Sequence, residues 1–294
     1  MKTSLAQFFR RGLLAAGIAG VSACTGMSAD ADAGSTSVSN KEKVAQLLTS
    51  IETGDQTPVA YINPEQYIQH NLAVADGLAG FGEVLGLLPE GSAKASVRRV
   101  FQDGDYVFAH TEYNFFGPKV GFDVFRFENG KIVEHWDNLQ TLAPANASGR
   151  TQLDGPTTAS DLASTEANKT LVADFVESIL IRGEMNRITE FMGTGDADYL
   201  QHNPAVGDGL NALGAALGAM AEQGMPMTYT ANHKILGEGN FVLAISEGQF
   251  LNQHVAFYDL FRIENGKLAE HWDTIEQIPP RAEWRNDNGK FGFR

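Results

Sequence analysis

The residues best placed to do chemistry in this chain are a histidine and an aspartate two positions apart, and the pair occurs twice. His135 and Asp137 lie in a Glu-His-Trp-Asp tetrapeptide, and His271 and Asp273 lie in a second copy of it. In extended chain alternate side chains point to opposite faces, so each histidine shares a face with its aspartate, while Glu134, Trp136, Glu270 and Trp272 face the other way. On a concave apolar face such a pair is desolvated, and burial raises a carboxyl until an aspartate can exchange a proton near neutral pH. On a convex face the same residues make a solvated or interfacial ion pair without catalytic meaning. The pattern alone leaves both readings open.

The elements that must hold these residues are legible around them. Asn129-Gly130 and Asn265-Gly266 precede the two tetrapeptides, and Asn-Gly between alternating runs predicts a tight hairpin. In the first copy period-two runs predict strands over 96–102, 106–116, 120–128 and 131–142. Val44, Leu47, Leu48 and Ile51 are spaced for a helix over about 41–51, and Leu171, Phe175 and Ile179 for one over 170–180. Asp76 and Asp208 stand where helix N-caps belong, ahead of Leu78, Phe81 and Leu85 and of Leu210, Leu213 and Leu217. The predicted fold class is α+β: two tandem cone-shaped domains, each a curved antiparallel sheet covered by helices, with a concave mouth suited to a small ligand.

Sliding the chain on itself supports the tandem reading. Tyr67-Ile-Gln-His-Asn71 matches Tyr199-Leu-Gln-His-Asn203 at an offset of 132, and the Asp-x-Phe-Arg-x-Glu-Asn-Gly-Lys runs at 123–131 and 259–267 match at 136. Expected boundaries are an export signal over 1–23, a flexible tether over 24–39, domains over 40–145 and 167–282, a linker over 146–166 and a tail over 283–294. From Arg281 onward no repeat partner is evident, and the tail is expected to pack across a surface.

Lys2, Arg10 and Arg11 followed by the uncharged run Gly12–Ala23 read as a signal too short to span a bilayer as a stable helix. Val21-Ser-Ala-Cys24 resembles a lipobox, making Cys24, the only cysteine, a lipidation site, and Arg10-Arg11 also resembles a twin-arginine signal. The expected localisation is export and lipid anchoring in the bacterial cell envelope, or else a periplasmic or secreted protein. The net charge of −14, which becomes −17 without residues 1–23, excludes nucleic acid as a partner and leaves the lipid anchor as the only membrane contact.

The Tyr-x-Gln-His-Asn, Asp-Gly-Leu, Asp-x-Phe-Arg-x-Glu-Asn-Gly-Lys and Glu-His-Trp-Asp segments together resemble the SnoaL-like branch of the nuclear-transport-factor-2-like superfamily, a group of polyketide cyclases and predicted aldol-condensation enzymes. The resemblance implies that Asp137 or Asp273 is the acid/base, that His70 or His202 lines the pocket, and that no metal or organic cofactor takes part. His135 and His271 join the catalytic candidates as donors to a developing enolate. Tyr67, Gln69, Tyr199 and Gln201, and the copy-specific Arg98, His110, His233 and His254, are pocket candidates. The second copy is the more family-like near His202-Asn203-Pro204 and His254. A metal set of His70, His135 and Asp137 would require all three to converge, and no ligand spacing supports it.

Two functions follow. One is a cofactor-independent enzyme that moves a proton on a small carbonyl compound, leading to aldol-type cyclisation or isomerisation. The other is a non-catalytic lipoprotein that binds a small apolar ligand or scaffolds a neighbour. Trp136 and Trp272, on the opposite face, suit an internal pseudo-dimer of the repeats.

Overall fold

A computed structural model describes residues 38–88 and 93–293; the expected signal, Cys24 and nearly all of the tether lie outside them. Helix α1, Asn40–Thr53, starts at a capping box in which Ser39 and Glu42 bond each other's backbone N–H, and ends at Gly54 in the left-handed region. It is followed by β1 (Ile68–Gln69), α2 (Gly77–Leu87), β2 (Lys94–Asp103), β3 (Tyr106–Asn114), β4 (Pro118–Glu128) and β5 (Lys131–Thr141). The second half repeats the order with α3 (Thr165–Phe175), α4 (Ile188–Phe191), β6 (Leu200–Gln201), α5 (Gly209–Glu222), β7 (Thr228–Glu238), β8 (Phe241–Phe250), β9 (Gln253–Glu264) and β10 (Lys267–Gln277).

Each half holds one five-stranded sheet, ordered β1-β5-β4-β3-β2 and β6-β10-β9-β8-β7. Four strands of each are antiparallel, but β1 and β6 add themselves parallel to β5 and β10, so the sheets are mixed rather than antiparallel. Both Asn-Gly pairs adopt positive φ at each residue, the backbone that a two-residue hairpin requires. Predicted α-helix gives way at Val176–Ile181 to a π-helical turn. The expected capping by Asp76 and Asp208 is absent: each stands at the N-cap position, but its Oδ1 accepts the backbone N–H of Gln69 or Gln201 instead. The aspartates therefore close the loop back onto the short strand.

Among the described residues three apolar cores result. One lies under the helices of each half, around Val44, Leu47 and Phe125 and around Val172, Phe175 and Phe261. The third lies between the backs of the two sheets, where Phe101, Phe122, Trp136, Phe241, Tyr258 and Trp272 interdigitate. Among the described residues no helix is long and apolar enough to cross a membrane.

Candidate active site

Strand register decides which side chains meet. Gln201 stands beside His271 on β10, and Asp259 on β9 stands opposite Asp273. Alternation then aims Tyr199, Gln201 and Asn203 inward and His202 backward. The first half matches it, with Gln69 beside His135 and Asp123 opposite Asp137.

In the second half the Gln201 Oε1 accepts the backbone N–H groups of His202 and Asn203 at 3.0 and 2.9 Å, which commits it as an acceptor. His271 Nδ1 lies 3.0 Å from that oxygen and therefore donates to it, while Nε2 lies 3.0 Å from Asp259 Oδ1. The Tyr229 hydroxyl also donates to Asp259, at 3.3 Å. Asn203 Nδ2 holds Asp273 Oδ2 at 2.7 Å, and Asp273 Oδ1 has no hydrogen-bond partner among the described residues. The first half repeats the network, with His135 3.0 Å from Gln69 Oε1 and 3.3 Å from Asp123, Tyr113 on Asp123 at 2.6 Å, and Asn71 on Asp137 at 2.6 Å.

The electrostatics follow from burial. Desolvation pushes the Asp273 carboxyl up, outweighing the lowering by the His271 charge and the Asn203 bond. Burial presses the His271 imidazole down, but its bond to Asp259 and the charges of Asp273 and Asp259 outweigh it, so the net shift is upward. Burial, with the charges of Asp259 and Asp273, drives the Tyr199 hydroxyl well above its ordinary value and keeps it a proton donor. In the first half the raised carboxyl is Asp123, again by burial.

The cavities differ in size. The second is about 380 Å³ and the first about 110 Å³. The π-helical turn and the segment after it place Ile179, Leu180, Ile181, Arg182 and Met185 around the larger cavity, whereas Phe81, Phe115 and Leu139 crowd the smaller one.

Of the residues singled out from sequence, His135, Asp137, Tyr67 and Gln69 converge in the first cavity and His271, Asp273, Tyr199 and Gln201 in the second. His70 and His202 do not. They face the back of the sheet, stacked on Trp136 and Trp272 at 4.5 and 4.6 Å and bonded to Glu134 and Glu270 at 2.9 and 2.8 Å. His110 is also behind the sheet, accepting from Arg99 at 2.8 Å; burial and the Arg99 charge hold it well below its ordinary value. Arg98 pairs with Glu112, and His233 and His254 share Glu247; none of the three lines either of these two cavities. Sequence reasoning passed over Asp123, Asp259, Asn71, Asn203, Tyr113 and Tyr229. The two asparagines carried a signal, since they continue the Tyr-x-Gln-x-Asn alternation.

The set of His70, His135 and Asp137 does not converge, because His70 points away to Glu134 and Trp136. A different set, Asp259, His271 and Asp273, with Asp123, His135 and Asp137 as its counterpart, brings ligand-type atoms within 4.8 Å of one another. In each, however, both imidazole nitrogens already face oxygen acceptors, so a cation would have to displace an existing hydrogen bond.

No protein-family model matches the chain, and no curated protein does. Solved structures do match. Wild-type IdmH from Streptomyces antibioticus, provisionally described as a polyketide cyclase, is 18% identical over 34% of this chain and 90% of its own, with a TM-score of 0.29. A nuclear-transport-factor-2-like protein of unknown function from Cytophaga hutchinsonii is 13% identical over 36% of this chain and 94% of its own, with a TM-score of 0.32. A Catenulispora acidiphila protein with a ketosteroid-isomerase-like fold, in complex with trimethylamine, is 13% identical over 37% and 88%, with a TM-score of 0.29. Each half of this chain is an α+β unit, a mixed five-stranded sheet with its own helices.

Proposed function

We propose that the chain is a cofactor-independent acid/base enzyme whose second cavity moves a proton on a small carbonyl compound. The observation that carries this reading is Asp273: it is 7% exposed, lines the larger cavity, has one oxygen fixed by Asn203 and the other without a hydrogen-bond partner, and its carboxyl is pushed up by burial. A base so placed removes a proton α to a carbonyl, and the enolate oxygen that develops needs a donor. Tyr199 supplies one. It lines the same cavity, and burial with the charges of Asp259 and Asp273 keeps its hydroxyl protonated, so the phenolic hydrogen can be given to a bound oxygen. The positive charge favoured on His271 adds electrostatic stabilisation nearby.

The crowded first cavity favours a second role there, binding of a small apolar group without turnover. The reading also places the protein in the cell envelope, on the strength of the signal-like N-terminus and Cys24.

The test is deuterium exchange at the α-carbon of a panel of small 1,3-dicarbonyl compounds, followed by proton NMR. Asp273→Asn should slow exchange by about 10²- to 10⁴-fold, the usual share of a positioned general base. Asp137→Asn should leave it nearly unchanged. Exchange that is equally fast in D273N and the parent chain would remove Asp273 from the mechanism.

A further inference from the structure

The segments that leave each sheet do not stay with it. The segment after β5 bonds to the second half from Asn146 to Asp154, although Arg99 of the first half also holds the carbonyls of Leu153, Asp154 and Pro156; the segment after β10 bonds to the first half from Arg285 to Phe291. Both use the same device, Asn146-x-Ser148-Gly149-Arg150 in one and Asn286-x-Asn288-Gly289-Lys290 in the other. In each, the asparagine Oδ1 accepts the N–H two residues on, at 3.0 Å for Ser148 and 3.1 Å for Asn288. That turn leaves the amide nitrogen to reach across. Asn146 Nδ2 donates to the carbonyls of Gln201 and Val206 at 2.6 and 2.8 Å; Asn286 Nδ2 donates to those of Asn71 and Val74 at 2.8 and 2.9 Å.

The indoles behind each sheet are held in the same way, Trp272 Nε1 by the Asp154 carbonyl at 2.9 Å and Trp136 Nε1 by the Phe291 carbonyl at 2.6 Å. His202 donates to the Thr151 carbonyl at 2.6 Å and His70 to that of Gly289 at 2.7 Å. The carbonyls gripped by the two asparagines belong to the loops that carry Gln69 and Asn71, and Gln201 and Asn203. Buried carbonyls without partners are costly, so these loops depend on a strap from the other half.

The straps differ in the placing of the charge that ends the motif. Arg150 pairs outward with Asp208 at 2.9 Å. Lys290, 6% exposed, turns inward to Glu276 on β10 and lies 3.9 Å from Asp137 Oδ1 on β5, the oxygen that has no hydrogen-bond partner. Asn71 holds the other oxygen of Asp137 at 2.6 Å, and the buried Tyr258 hydroxyl on β9 feels the charges of Asp137, Glu276 and Asp123. Among the described residues no lysine or arginine forms an ion pair with Asp273.

We propose that residues 284–293 are a part of the first site supplied by the other half, in which Asn286 positions the loop of Asn71 and Lys290 places a cation beside Asp137, so that the two cavities are chemically unequal by construction. This holds whatever reaction either cavity performs.

Hydrogen exchange and side-chain amide NMR on the full chain test it. Asn286→Ala should raise exchange over 69–77 at least tenfold and leave 201–209 unchanged, with Asn146→Ala giving the mirror result. Lys290→Gln should shift the side-chain amide signals of Asn71, which is bonded to Asp137, without moving those of Asn203; Lys290→Arg should restore them. Should K290Q fail to fold with Glu276 left unpaired, the E276Q/K290Q double variant removes both charges and carries the same expectation for Asn71. Equal exchange in both loops for either asparagine variant, or Asn71 amide signals unchanged in K290Q, would overturn the proposal.

Discussion

At His271 the fold has made a weak base stronger by surrounding it with carboxylates. The folded protein therefore keeps the His271 proton at pH values where the unfolded chain, with an imidazole pKa of about 6.5, has released it. The sign is fixed by linkage: stability from this pair is complete below about pH 6.5 and is lost as pH rises through the higher folded value. Urea midpoints should accordingly fall across that window in the parent chain, and Asp259→Asn should flatten the dependence. A D259N protein with the parent's slope would sink the pairing as its source. Much of this was legible, because His271 and Asp273 declare a common face through simple alternation. Asp259 was not: it sat in a recognised motif, but its place opposite Asp273 is a matter of register between strands. The misplacement of His202 has a different cause. Its pocket role was implied by the resemblance alone, whereas the Tyr199-x-Gln201-x-Asn203 alternation already sets it on the other face, and β6 beside β10 bears that out.

Among the elements, the hairpins were the clearest in advance, since few residues other than Asn and Gly tolerate positive φ at both turn positions. The π-helical turn was invisible, because Val176–Ile181 has the composition of ordinary helix and only its tertiary setting selects the wider hydrogen-bonding pattern. That turn matters because it opens the wall of the second cavity, while α1 in the first half continues as regular helix past Leu47, Leu48 and Ile51. Helix α5 forms the opposing wall through Leu213 and Leu217. A larger side chain there has room to enter the cavity. Leu217→Trp should reduce second-site turnover at least tenfold, with a melting temperature within a few degrees of the parent's. A loss of stability of several kcal/mol would show instead that the space is not available to the indole.

For the whole molecule, the backs of the two sheets share one apolar core, and a buried polar clasp fixes their register. Asn138 Nδ2 donates to the Thr274 carbonyl at 2.8 Å and to its Oγ1 at 3.0 Å. The exchanged straps join the halves a second time. Trp272→Ala removes an indole that is 1% exposed and should cost about 3–5 kcal/mol. Its unfolding, followed by intrinsic fluorescence and far-ultraviolet circular dichroism, should remain a single coincident transition in which both halves are lost together. Two separated transitions would contradict the shared core. The tryptophans' outward face was readable from Glu-His-Trp-Asp. The straps were not: 146–166 had the composition of a linker, and the tail's kinship to it rests on an asparagine and a glycine three apart, too sparse to stand out against unrelated sequence.

The crossing of the straps also says what a protease nick would do. If the chain were cut near Asp161, the upstream fragment would still carry Asn146 and its grip on the Gln201 loop, and the downstream fragment would still carry Asn286 and its grip on the Asn71 loop. Neither piece is complete without its counterpart, yet each carries what the other lacks. The molecule is thus a split protein whose halves are ready to complement one another, held by a covalent joint that their mutual embrace makes partly redundant.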